Sequence, residues 1–249
     1  MKKTACVVLA MLAGLCFSTD LFANGKDQQK KNYENEKFVW TDNYVIEGSN
    51  AAIAPSTEEI VTTCLSKDGK PLRWVRKNDI YKFGKYTGIS TLETALYNMA
   101  VDEMINNFEK DGTLRTGLLW GGVWTRDVSY SSLLSLSYMC PDKVKNSLEV
   151  KVDRLGRIIQ DTGTGGSWPC SSDRVVWALS AWNIYLATGD MDWLQKAYDI
   201  IGRSLEADFV VVYNPQTGLF RGESSFIDWR EQSYPVWAQP ADIYMSECL

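Results

Sequence analysis

The chain has 249 residues, 45% of them hydrophobic and 23% charged, an ordinary globular composition with enough length for one sizeable core. Its net charge of −5 speaks against nucleic acid as a partner. It has no histidine, which excludes a Ser-His-Asp or Cys-His nucleophile system and a His-ligated zinc site, and leaves acid–base chemistry to carboxylates, Tyr or Lys.

Lys2 and Lys3 precede the apolar run ACVVLAMLAGLCF, and a short polar stretch then ends in Leu21-Phe22-Ala23. Residues 1–23 read as a secretory signal peptide cut after Ala23, so the protein is expected to be exported, either periplasmic or secreted. No later apolar run reaches the roughly 20 residues that cross a bilayer. Residues 24–36 are polar and read as a disordered linker. Residues 37–89 hold a small β region, too small for an independent domain. In KFVWTDNYVI the residues Phe38, Trp40, Tyr44 and Ile46 share one face at period two, which predicts a strand. EIVTTCLS and PLRWVRK flank Lys67-Asp68-Gly69-Lys70, which predicts a hairpin.

From residue 90 to 249 the pattern is helical, and the chain reads as mainly α. Ser90 and Glu93 form a capping box at the start of STLETALYNMAVDEMINNF. A second helix begins near Arg126 and stops before Pro141, and a third is predicted over about 142–160. The fourth, DRVVWALSAWNIYLAT, is closed by Gly189, and the fifth is opened by Asp190. Asn214 to Gly218 is a turn, a long loop runs through Trp237, and Pro240 takes the first position of a sixth helix. That helix reaches Leu249 without a cap, so the chain reads as truncated in mid-element. Trp177, Trp182 and Trp193 lie on helices and are assigned to the core. Cys64, Cys140, Cys170 and Cys248, the cysteines outside the signal, are too few for a disulfide framework in a domain of this size.

Helices joined by short connections pack as antiparallel neighbours, which puts the N-termini of the second, fourth and sixth at one end. The loops feeding them are LLWGGVWTRD, GGSWPCSSDR and GESSFIDWREQSYPVW. They hold Trp120, Trp124, Trp168, Trp229 and Trp237, together with Arg126, Asp127, Asp173, Arg174, Asp228, Arg230 and Glu231. Flat aromatic faces pack on the C–H faces of pyranose rings, while carboxylate and guanidinium groups hydrogen-bond the hydroxyls. The cluster therefore reads as a saccharide pocket. Singly, Asp127 and Asp173 also suit the macrodipole at a helix start, and an Arg beside an Asp is most often a structural pair. GTGGS at 163–167 lacks the Gly-Lys-Ser/Thr ending and the preceding strand of a phosphate loop.

VWTRDVSYSSLL, SWPCSSDRVVWALSAWNIYLATGDMDWL and GLFRGESSFIDWREQSYPVW together resemble a bacterial six-hairpin glycosidase, of the glucoamylase and glycogen-debranching glucosidase type. The resemblance covers roughly residues 90–249. It implies a partial (α/α)6 toroid of about six helices, with the β region as the remnant of an N-terminal β-sandwich. It also implies that Trp124, Arg126 and Asp127 line the subsite for the terminal sugar. Asp228 matches the general acid, with Glu231 as runner-up, and Phe226, Ile227 and Trp229 would desolvate Asp228 and raise its pKa. Trp168, Asp173, Arg174, Trp229, Arg230 and Tyr234 are taken as further substrate-binding residues. Such enzymes usually invert configuration, with acid and base carboxylates about 6.5–9.5 Å apart. The base comes late in the family's domain and is expected to be missing here.

The function implied is hydrolysis of glycosidic bonds in oligo- or polysaccharides, with no cofactor and no metal. Two alternatives stand beside it. A non-catalytic helical glycan-binding protein would need the aromatic loops but no carboxylate of raised pKa. A polysaccharide lyase of toroidal fold would call for more Arg and Lys around a uronate and often uses His.

Overall fold

The computed structural model describes residues 33–35, 37–159 and 173–220, which fall into two compact units divided between Asp102 and Glu103. The signal peptide, most of the linker, the loop at 160–172 and everything from 221 onward lie outside the described residues.

The first unit is a six-stranded antiparallel meander in the order β1-β2-β3-β4-β5-β6. Its strands are β1 (Tyr33–Glu34), β2 (Phe38–Trp40), β3 (Tyr44–Glu47), β4 (Asn50–Ser56), β5 (Glu59–Leu65) and β6 (Pro71–Val75). The single strand expected over 37–46 is a hairpin. Thr41 turns the chain, its backbone N–H donating to Tyr44 O at 2.9 Å and its Oγ1 accepting from Tyr44 N at 3.2 Å. The turn at 66–70 has the expected form, with Gly69 at φ 76 and Ser66 N donating to Lys70 O. Pro55 lies in the central strand β4, where the pairing with β5 shifts between Ile53 and Ser56, so its missing N–H falls at the irregularity.

Helix α1 (Thr91–Asn106) lays Leu92 and Ala95 against Ala54 and Ile60 of the sheet, with Val45, Ala52, Trp74 and Met99 around them. Half of the expected capping box is formed, with Ser90 Oγ accepting from Glu93 N, while the Glu93 carboxylate accepts from Ile89 N rather than from Ser90 N. At the far end of this core the buried Asp102 takes the Trp74 indole N–H at 3.0 Å and the backbone N–H groups of Lys77 and Asn78. A sheet with its own helix and core is more than an appendage. The expectation of a mainly α chain built as a partial (α/α)6 toroid is therefore corrected: strands and helices share the described residues, with a six-stranded sheet and five helices. Short strands such as NAAIAPS carry Asn, Ala and Pro, which hid the sheet's extent.

The second unit holds the remaining helices. Helix α2 runs through Thr125–Ser131, a π-helical segment Ser132–Leu136, and Ser137–Met139. It is followed by α3 (Pro141–Glu149), α4 (Asp173–Thr188) and α5 (Met191–Val211). Gly189 closes α4 at φ 68, and Asp190 caps α5 by accepting from Trp193 N at 2.9 Å. Helix α3 ends well before residue 160. Asp153 Oδ1 accepts from Leu155 N and Arg157 N, and Gly156 at φ 75 completes a turn where a helix was expected. Trp177 and Trp193 are core residues with their rings 6.1 Å apart, but Trp182 is 51% exposed and is not.

One motif recurs three times. The segments after α1, α3 and α5 each fold back in an antiparallel turn, pairing Phe108 with Leu114, Val152 with Ile158, and β7 (Tyr213–Asn214) with β8 (Leu219–Phe220). A left-handed glycine serves each turn: Gly112, Gly156 and Gly218. In the first two the buried residue leaving the turn gives its N–H to a serine on a later helix. Leu114 donates to Ser147 at 2.8 Å and Ile158 to Ser204 at 2.9 Å. The glycine two places earlier rests against the residue before that serine, so an added Cβ would strike Asn146 or Arg203.

Candidate functional site

The best-described part of the predicted site is the entrance to α2. Arg115 shapes the approach by donating Nε to Gly117 O at 3.0 Å and Nη2 to Leu118 O at 3.1 Å. Gly117 and Trp120 exchange backbone hydrogen bonds, and Thr116 N donates to Gly122 O. This tight loop carries Leu118, Leu119 and Trp120 at an exposed tip, with Trp120 63% accessible. Gly122 then adopts φ 77, and Trp124 is extended at φ −112, ψ 128 before Thr125 opens the helix.

Those backbone angles sort the side chains of the Trp-Thr-Arg-Asp run. Trp124 is half-buried, Thr125 and Arg126 are buried, and Asp127 is exposed in the first helical turn, where its charge complements the macrodipole. Arg126 neighbours Tyr130 one turn on. Burial raises the phenol of Tyr130 above its ordinary pKa, and the Arg126 guanidinium pulls it back. The buried face of α2 is largely polar: Ser129, Ser132 and Ser137 are fully buried there, with Val128 among them. In the π-helical segment the Ser132 carbonyl accepts from the backbone N–H of Ser137, and it also takes Ser137 Oγ at 2.7 Å and Asn183 Nδ2 at 3.2 Å. Asn183 also donates to Ser137 Oγ at 2.7 Å, which ties α4 to α2.

The same ties set helix direction. Gly122 and Val123, entering α2, share a cavity wall with Val150 and Lys151 at the exit of α3. Leu148, also near that exit, accepts from the indole N–H of Trp177 near the start of α4. The N-termini of α2 and α4 therefore lie at one end of this unit, together with the C-terminus of α3. Trp124, Arg126, Asp127, Asp173 and Arg174 share that end.

Arg174 is occupied there by structural partners. Its Nε donates to Ile158 O at 3.1 Å and its Nη1 to Ser204 O at 3.3 Å, and it forms an ion pair with the buried Asp208. Reading Arg174 as substrate-binding missed a partner 34 residues away. Trp168, Asp228, Trp229, Arg230, Glu231 and Tyr234 lie outside the described residues. Sequence reasoning also passed over Tyr130 and the buried serines. The spacing of Arg126 and Tyr130, four apart on a helix, was the available signal for the first.

The cavity beside this end has a volume of about 590 Å³ and is bordered by Glu109, Lys110, Asp111 and Lys151 as well as Gly122 and Val123. It offers both signs of charge. Among the described residues no group of His, Cys, Asp and Glu could hold a metal ion, and no helix is long and apolar enough to cross a membrane. Comparison with protein-family models, with curated proteins and with solved structures found no match.

Proposed function

We propose that the chain belongs to an exported glycoside hydrolase acting on neutral oligo- or polysaccharides. The observation that carries the reading is the common end of α2 and α4, where an exposed indole at Trp120, the half-buried Trp124 and the exposed Asp127 stand together. Aromatic faces offer stacking to pyranose C–H surfaces, and Asp127 offers two acceptors to vicinal hydroxyls. Asp228 is the candidate acid, protonating the leaving oxygen, with Glu231 as the alternative.

The test is turnover and binding with neutral α- and β-linked oligosaccharides, read as new reducing ends and as quenching of tryptophan fluorescence. Trp124→Ala and Asp127→Asn should weaken binding, and in a form that carries the general base Asp228→Asn should remove turnover by about 10²- to 10⁴-fold while sparing binding. With the base expected to be missing, binding without turnover fits both readings, and titration of Asp228 separates them: a raised pKa marks the acid, and an ordinary one favours the glycan-binding alternative. Neither binding nor turnover across the panel would end the saccharide reading.

A further inference from the structure

The sheet unit carries a cleft that the hydrolase reading does not use. It is built from residues 42–98 alone and encloses about 460 Å³, within the range of small-molecule sites. Its floor is a polar stripe formed by Ser90, just before α1, and by Thr94 and Asn98 on the helix, spaced four apart. All three are buried, and Asn98 is only 5% exposed. A stripe of buried polar groups on a helix that elsewhere packs Leu92 and Ala95 on a sheet calls for partners.

Part of that demand is met within the fold. Thr94 Oγ1 accepts from Gly88 N at 3.0 Å and donates to Ser90 O at 3.1 Å. Asn98 Nδ2 donates to Thr57 O at 2.9 Å. Its Oδ1 has no partner among the described residues and faces the cleft. Ser90 Oγ accepts from Glu93 N, which leaves its own proton to give. One acceptor and one donor thus stand on the floor of the cavity about two helical turns apart, roughly 12 Å along the axis.

The rim is aromatic and held in place. Tyr86 donates its phenol proton to Glu93, and Tyr81 donates to Glu58 at 2.7 Å. Tyr86 leans on Tyr97 with ring centroids 5.1 Å apart, and its ring remains exposed. Gly88 N donates to Thr94 Oγ1 and Ile89 N to the Glu93 carboxylate, which hold this loop against the helix. Charge in the lining is balanced, with Asp42 at one side and Lys85 at the other. Asp42 already accepts from Thr91 N and Thr91 Oγ1 at the start of α1, so that helix end is satisfied and a phosphate or carboxylate would meet repulsion.

We propose that this cleft binds a neutral oligosaccharide, one ring stacked on Tyr86, with hydroxyls of successive rings bonded to Asn98 Oδ1 toward one end and to Ser90 Oγ and the Asp42 carboxylate toward the other. The inference rests on the sheet unit alone, so it stands or falls separately from the hydrolase reading. Sugar hydroxyls each give one proton and accept another, so neighbouring rings can meet the acceptor at one end of the floor and the donor at the other. The fixed loop lowers the ordering cost of binding.

Hydrogen–deuterium exchange of the full chain with neutral gluco-, manno- and xylo-trisaccharides, up to about 10 mM, reads the site by location. Slower exchange in peptides from 81–98 is the expected result. Tyr86→Ala and Asn98→Ala should each weaken that protection roughly fivefold or more. Tyr86 is exposed, so its variant keeps the fold and carries the test if Asn98→Ala does not. Trp124→Ala, which strips the candidate site on α2, should leave protection of 81–98 in place. No protection of 81–98 by any of the three sugars, or undiminished protection in Tyr86→Ala, would overturn the proposal whatever happens at residues 120–127.

Discussion

The backbone N–H of Ile158 ends on the side chain of Ser204, 2.9 Å away and 46 residues later in the chain. Ser204 Oγ passes its own proton to Ile200 O at 2.8 Å, so one hydroxyl closes both a turn and a helix. Leu114 and Ser147 repeat the arrangement, with Ser147 donating to Lys143 O.

Removing that hydroxyl leaves a buried amide unpaired. Ser204→Ala should therefore lower the stability of the helical unit by roughly 1–3 kcal/mol, and Ser147→Ala by a similar amount. Urea midpoints followed by tryptophan fluorescence measure both. Unchanged midpoints would mean that water replaces the serine without cost.

Arg174 and Asp208 make a sharper case. Their side chains are 15% and 9% exposed, so the pair is shielded from water. Arg174→Met strands the carboxylate without this cation and should cost about 3 kcal/mol, while Arg174→Met combined with Asp208→Leu should recover most of it. Saccharide binding by the double variant separates the two roles of Arg174. Parent-like affinity marks it as structural, and a large loss would restore it to the sugar site.

Stability of the sheet unit should depend on pH through Asp102. Burial pushes this carboxyl up, but the Trp74 indole, the Asn78 backbone and side-chain donors and the Lys77 amide more than offset it, so it settles below the ordinary carboxylate value. A depressed folded pKa gives stability that is present above the unfolded value near about 4 and is lost as pH falls through the folded one. Glu58 acts in the same direction, held down by Arg76 and Tyr81. Unfolding by urea should become easier as pH drops from about 5 to 3. Asp102→Asn should be less stable at neutral pH and show a flatter profile, and an unchanged slope would assign the effect elsewhere.

What could be read from sequence was chemistry confined to a few neighbouring residues. Ser90 with Glu93, Gly189 with Asp190, and the turn at Gly69 each carry their reason within about five positions, and they formed as read save that Glu93 takes Ile89 N instead of Ser90 N. The Trp-Thr-Arg-Asp run was legible as a helix entrance for the same reason. Val152, Leu155 and Ile158 mimic helical spacing, and only the Asp153 side chain and Gly156 reveal the turn. Trp182 sits among apolar neighbours in sequence but on the outward side of α4 in space. The engagement of Arg174 by Asp208, and the polar floor of Ser90, Thr94 and Asn98, depend on segments brought together by folding. No local pattern announced them.

The serine locks also carry a schedule. Leu114 depends on a residue 33 positions downstream and Ile158 on one 46 downstream. A ribosome adding about 5–20 residues per second delivers Ser147 on the order of 2–7 s after Leu114, and Ser204 on the order of 2–9 s after Ile158. Each turn is made before the helix that secures it, so closure advances toward the C-terminus one helix pair behind synthesis. Through that interval the buried face of the newest helix pair has no cover, and a chaperone would find its substrate there.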